Sequence, residues 1–361
     1  DLDAHTLVRF GPPADRIQVI PPGSSDTVPD LEYWPIEGRV VVTLDTADVD
    51  GDRPFEINAE AIETPWHVSS ATWEFAIDTL GNTVPWPEPG GGPGTALAVD
   101  RWGGPEEGDA LFFYLDSLTV SRWFDQSRPE NGLRITVTGP GSRLGIETVE
   151  LVYLVRSSIH PDTIVELDAL SSETTVVYSP EPQPLEGAFR IGGAPAHRAA
   201  VHFDLPEAVE GDTPTCEGAP CTIELIADRL LYAGLRLYSH GTAPLGLQPL
   251  DSIPIDTRPV LLPNRVRRSP LGPSAQTVPK MVAPELFSPG SASIVELPMT
   301  RYVRELMTEP ADGSDATSLV LMLLTTSEPW SLEHATFWGL GSDYDPPLRL
   351  VLSWTDGLGL P

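Results

Sequence analysis

Basic side chains are scarce in this sequence. Against 52 Asp and Glu there are 22 Lys and Arg, and the formal net charge is −30. Nucleic acids are held through basic footprints, so this balance argues against such a partner. An anionic membrane surface would repel the chain as well. Long hydrophobic runs are also missing. The most apolar stretch, Leu319 to Leu324, is far shorter than the roughly 20 residues a membrane-crossing helix needs. Cysteine is limited to Cys216 and Cys221, and a Cys-x4-Cys pair without a second Cys or His pair is a poor zinc half-site. With Gly218 and Pro220 between them, the two suit a small disulfide loop at a turn in an oxidising compartment; two free thiols are the alternative. The sequence contains no Gly-x-Ser-x-Gly, His-Glu-x-x-His or P-loop motif, the usual marks of hydrolase, zinc-protease or nucleotide chemistry. Carboxylates abound, but nothing singles out a glycosidase pair. No enzyme is expected.

Turn residues are what the chain has in excess. Pro (39) and Gly (31) make up about a fifth of it, above the usual share of roughly 12%. They separate short runs rich in Val, Ile, Leu, Phe and Tyr, such as Arg39–Leu44, Ala110–Leu115, Leu133–Thr138, Thr148–Val155 and Gly234–Ser239. Helical periodicity is nearly absent. Several runs alternate: Ala199, Val201, Phe203 and Leu205 fall on one face, Ala200, His202 and Asp204 on the other. This spacing predicts an all-β chain of antiparallel, jelly-roll-like β-sandwiches.

Two segments depart from the pattern. In Ser117–Gln126 and Pro298–Thr308 apolar residues recur three or four apart, predicting one short helix per sandwich. Around each, the same order of elements repeats: strand, helix, polar turn (Asn131-Gly132 or Asp312-Gly313), two strands, a proline, and a last strand. The repeat predicts two tandem domains, 1–167 and 173–361, joined by a linker at 168–172. The second carries a Pro-rich insertion near 243–289.

Particular residues then look familiar. Phe189-Arg-Ile-Gly-Gly, Arg198-Ala-Ala-Val-His-Phe-Asp-Leu-Pro and Ala233-Gly-Leu-Arg-Leu-Tyr resemble the opening of the bacterial DNRLRE domain. The first half resembles its middle and end, in Thr64-Pro-Trp-His through Thr72-Trp, Pro85-Trp-Pro-Glu-Pro-Gly-Gly-Gly, and Val120-Ser-Arg-Trp followed by Asn131-Gly-Leu-Arg-Ile. The resemblance touches about half the chain. It implies a secreted or surface-displayed β-sandwich without catalytic residues, and some members of that family are carbohydrate-binding modules. Thr174-Thr-Val-Val matches the family's first strand and would open the second domain; the first domain has no clear equivalent.

Candidate site residues follow from these readings. A domain lacking a strand exposes an edge that a neighbour can fill, so the N-terminal segment with Leu7, Val8, Phe10, Ile17 and Val19 is a candidate donated strand. Arg265, Arg267 and Arg268 form the one basic cluster and a candidate docking patch for an acidic neighbouring copy; a solvated loop is the alternative. Trp66, Trp86 and Trp102 lie in Pro/Gly-flanked segments, where they would either stack on sugar rings or pack loops down. The acidic tract Asp45, Asp48, Asp50 and Asp52 suits Ca2+ by residue type, although it lacks EF-hand spacing; a turn between strands is the plainer reading. No other cofactor is expected. His197, His202 and His240 are read as ordinary surface histidines rather than a metal site. The chain begins at Asp1, which is read as the product of signal-peptide removal. The expected function is a non-enzymatic extracellular structural protein that self-assembles as a filament or surface layer, a homo-oligomer. The alternative is a pair of carbohydrate-binding modules that take a polysaccharide through loop tryptophans.

Overall fold

The computed structural model describes the chain outside residues 1, 51–53, 80, 128–131, 139–142, 171, 182, 184, 195, 212–220, 309–316, 327, 329–330, 340–347 and 355–361. The chain is an all-β protein of two compact units, Asp1–Glu181 and Pro182–Pro361.

The two main sheets of the first unit are built from β1 (Asp3–Phe10), β2 (Tyr33–Asp50), β3 (Phe55–Ile62), β4 (Gly94–Trp102), β5 (Ala110–Leu115), β6 (Leu133–Thr138), β7 (Arg143–Ser157), β8 (Ile164–Asp168) and β9 (Ser172–Ser179). They make a five-stranded sheet, β9-β1-β6-β3-β4, and a four-stranded sheet, β8-β7-β2-β5. All pairings are antiparallel. Alternation sets which face is buried: Phe55, Ile57 and Ala59 of β3 and Val40, Val42 and Leu44 of β2 meet between the sheets. Helix α1 (Ser117–Phe124) closes one end, burying Val120 and Trp123. Its N-cap is Asp116, whose carboxylate accepts a hydrogen bond from the Thr119 N–H at 2.7 Å. The helix packs close to β2 because Gly38 has no side chain; a Cβ there would lie 3.0 Å from Val120 Cγ2.

The two main sheets and the helix of the second unit are built from β10 (Ala188–Gly192), β11 (Ala199–Leu205), β12 (Leu230–His240), β13 (Ile253–Pro259), β14 (Lys280–Val282), β15 (Ile294–Pro298), α2 (Thr300–Thr308), β16 (Thr317–Thr325), β17 (His334–Trp338) and β18 (Leu348–Trp354). Its sheets are β10-β17-β12-β15, with β18 also on β12, and β11-β16-β13-β14. Ile191, Leu235, Leu237, Ile255, Leu321 and Phe337 lie in its core.

The repeated plan is visible in the pairings. β6 lies between β1 and β3 as β16 lies between β11 and β13, and β5 flanks β2 as β15 flanks β12. The match in chain order fails at the end. β18 pairs with β12, Leu237↔Leu348 through Leu230↔Trp354, and β17 takes only Ser239 and His240. Together β17 and β18 occupy the place of the single long strand β7.

The structure divides the chain after Glu181 rather than at 168–172. Ser172–Ser179, read from the sequence as opening the second domain, is β9 and runs along β1 from Asp3↔Ser179 to Phe10↔Ser172. With β9 on one side and β6 on the other, β1 sits inside its own sheet. Leu7, Val8, Phe10, Ile17 and Val19 are all buried in the first unit. In this structure the segment completes the core of its own unit, against the expectation of a spare strand.

In both units an excursion between equivalent strands folds back over the outer face of the sheet that carries it. Residues 63–93, between β3 and β4, bring Trp66, Ala71, Ala76 and Trp86 onto Leu7, Ile62 and Val177. Residues 260–279, between β13 and β14, pack Val266 and Leu271 with Val260 against Met322 and Leu324. The Pro-rich insertion near 243–289 is thus partly sheet and partly this cover.

Candidate functional site

The three tryptophans proposed for sugar stacking are buried. Trp66, Trp86 and Trp102 are 2%, 5% and 2% exposed, respectively. Arg9 lies 5.1 Å above the Trp66 ring, and its guanidinium donates to the Trp66 carbonyl. The Trp86 indole N–H donates to the Thr72 carbonyl at 2.9 Å. Trp102 stacks on Phe55 in the core and donates to the Gly108 carbonyl. A ring with both faces covered by its own chain has none to offer a sugar, so these side chains are structural.

The acidic tract is strand rather than loop up to Asp50. Asp45 pairs with Gly145 and Asp50 with Arg143 in the β2–β7 ladder. The side chains of Asp48 and Asp50, and all of Asp52, lie outside the described residues. Among the described residues no group of three His, Cys, Asp or Glu is placed to hold a metal ion. The histidines go separate ways. His202 pairs with Asp204 at 3.2 Å, and His240 stacks edge-on against Trp338. His197 lies 5.2 Å from the ring of His334, a residue that sequence reasoning passed over. Arg265 is exposed within Pro263–Arg268, where Arg267 and Arg268 have side chains outside the described residues. Cys221 is disulfide-bonded; Cys216, the other cysteine of the sequence, lies outside the described residues.

The surface that stands out is β5 and the sheet face beside it. Ala110–Leu115 is apolar at both parities. Leu111, Phe113 and Leu115 point inward and are 6% exposed or less, whereas Phe112 and Tyr114 point outward at 49% and 73%. Among the described residues β5 ends its sheet, paired on one side only, Gly38↔Leu115 through Thr43↔Ala110. About half of its backbone N–H and C=O groups therefore face away from the sheet. On the same outer face Val41 stands opposite Phe112 and Arg39 opposite Tyr114. Arg39 is tied to Glu166 at 3.1 Å. The equivalent edge of the second unit, β15, places Ile294 opposite Tyr238 and Glu296 opposite Arg236. There Glu296 accepts from Arg236 Nη2 at 2.7 Å and from the Tyr232 hydroxyl at 2.6 Å. These two hydrogen bonds hold the Glu296 carboxyl below the usual range despite some desolvation.

What would have exposed β5 to sequence reasoning is its lack of alternation. A strand with one wet face normally shows polar residues at every second position, and this one has none.

No protein-family model matches the chain, and no curated protein matches it. Among solved structures, a chain from the atomic structure of Sulfolobus Turreted Icosahedral Virus aligns over 94% of this chain and 89% of its own length. The identity is 10% and the TM-score 0.13. No helix among the described residues is long and apolar enough to cross a membrane.

Proposed function

We propose that this chain is a non-enzymatic, extracellular structural protein of the DNRLRE type whose copies join through β5. The observation that carries the reading is the edge of β5, unpaired among the described residues, with Phe112 and Tyr114 turned to solvent. Exposed apolar edge strands are templates for pairing with another strand, and proteins that do not use them normally blunt them with charge, proline or a covering segment. Ala110–Leu115 carries no charge in a chain of −30. Two copies repel each other over most of their surface, and this strand gives a stretch where they can meet. Asp109 and Asp116 flank it and confine the join to those six residues. Because the remaining repulsion is between exposed charges, added salt strengthens assembly.

The test is size-exclusion chromatography with light scattering across concentration. The wild type is expected above the 39.0 kDa of one chain, and the Phe112→Lys/Tyr114→Glu double variant at one chain. A wild type that stays monomeric throughout, or a variant that assembles as well as the wild type, overturns the proposal. With Trp66, Trp86 and Trp102 buried, the polysaccharide reading falls to other exposed rings, Phe112 and Tyr114 among them; retention of wild-type monomer in polysaccharide affinity gels, abolished in the same variant, would be its signature.

A further inference from the structure

We propose that the second unit contains an acid-triggered release, in which protonation of His334 parts β10 and the following turn from β17. His334 opens β17 and is 0% exposed. It stands opposite Gly192, the last residue of β10. Gly192 in turn exchanges two backbone hydrogen bonds with His197, each 2.9 Å. The ring is thus wedged between β10 and the turn residues Gly193 and Ala194. Gly193, at φ +74, passes so close that a Cβ there would collide with the imidazole. Neither ring nitrogen makes a hydrogen bond of ordinary geometry among the described residues.

The groups around this ring are hostile to a second proton. Burial is the largest influence, followed by the charges of His197 and Arg190, and together they push the His334 pKa down from 6.5 to about 3. The Leu332 backbone favours the protonated ring and is outweighed. The side chain of Arg190, on β10, is itself 6% exposed. The carboxylates of neighbouring segments are turned to other partners. Glu333 accepts from the Leu250 N–H at 2.9 Å. Glu328 accepts from the Thr325 N–H and pairs with Arg198 at 2.9 Å. His240, from β12, stacks on Trp338. Among the described residues no counter-ion is in place for an imidazolium, and a buried unpaired charge is among the costlier features a fold can carry.

The direction of the response follows from linkage. A histidine whose folded pKa is depressed stabilises the fold above its unfolded value of 6.5, and that stability drains away as pH falls towards about 3. Each pH unit in this window shifts the opening equilibrium by up to about tenfold. Glu328 titrates in the opposite sense, since burial raises its pKa, so this is a ceiling. Opening begins where the ring is seated, at β10 and the turn residues Gly193 and Ala194, because these cover it.

Hydrogen exchange of the full chain, corrected for intrinsic rates and compared between neutral and about pH 4.5, tests it. Peptides covering Ala188–Gly192 and His334–Trp338 should lose roughly tenfold to a hundredfold in protection, while β1, β3 and β6 keep theirs. In His334→Leu the loss should vanish. Protection unchanged in the wild type, or lost equally in His334→Leu, overturns the proposal. Should that variant not fold, the imidazole proton resonances of the wild type decide. They must show one histidine staying neutral to about pH 4.5 in the folded state, and a His334 that titrates near 6.5 with β10 still protected contradicts the idea.

Discussion

The two units share a strand plan and differ at their edges. In the first, β9 covers β1; in the second, the equivalent strand β11 ends its sheet among the described residues. Next to β2 the first unit presents Phe112 and Tyr114, and next to β12 the second presents Ile294 and an ion-paired Glu296. The inner faces are alike because two layers must bury an alternating apolar set in either case. Edges are under no such constraint, so they are where duplicated sandwiches diverge in use. The buried polar groups diverge as well. The first unit locks a loop with Asp30, 2% exposed, which accepts from Ser157 Oγ at 2.6 Å, Ser158 N at 2.8 Å and Ser158 Oγ at 2.8 Å. The second buries His334 without such partners among the described residues.

The largest expected effect tests where the first unit ends. Val177, on β9, is fully buried against the Trp66–Trp86 layer. Val177→Asp should cost the first unit about 3 kcal/mol or more, seen as a shift of one of two transitions in urea denaturation. If the second unit's transition moves instead, β9 belongs there.

A smaller effect separates the units by pH. Burial alone would raise the Asp30 pKa, but hydrogen bonds from Ser157, Ser158 and Glu32 outweigh it and hold the carboxyl well below its ordinary 3.8. Its contribution is therefore present above pH 3.8 and is lost only as pH falls through the lower folded value. Acid should weaken the second unit between 6.5 and about 3 while leaving this lock of the first unit in place. Asp30→Asn, expected to cost roughly 2 kcal/mol, should weaken the first unit at neutral pH. A first unit that melts in acid ahead of the second breaks the contrast.

The smallest effect exchanges the edges. Glu296→Tyr gives β15 an aromatic side chain at the position equivalent to Tyr114. It removes a partly exposed ion pair with Arg236 and should change stability by under about 1 kcal/mol. Restoring assembly to the Phe112→Lys/Tyr114→Glu chain through this change would show that edge chemistry alone decides where copies join. An assembly that stays absent would place part of the specificity in the surrounding face, near Val41 and Arg39.

Much of the sandwich was legible because alternation is a local signal. Leu235 and Leu237 face in and Arg236 and Tyr238 face out as the spacing predicts, and both helices lie where apolar residues recur three or four apart. Pairing partners were not legible, since they are set by contacts far along the chain. Thr174-Thr-Val-Val reads as a strand, but nothing near it says that it joins β1; likewise the last strand joins β12 instead of its neighbour in sequence. The tryptophans misled for a related reason. Pro and Gly around Trp66 and Trp86 mark a loop, and whether a loop stands out or folds back over a sheet depends on the apolar face beneath it, here Leu7, Ile62 and Val177. His334 was invisible because one histidine in an apolar strand says nothing of the arginine and histidine brought beside it.

Hydrogen exchange of the native full chain as a function of its own concentration tests the assembly account most directly. Protection of Ala110–Leu115 should rise with concentration while that of Ile294–Pro298 stays flat. A β5 whose exchange ignores concentration, or a β15 that slows alongside it, would contradict a join made through the first unit's edge.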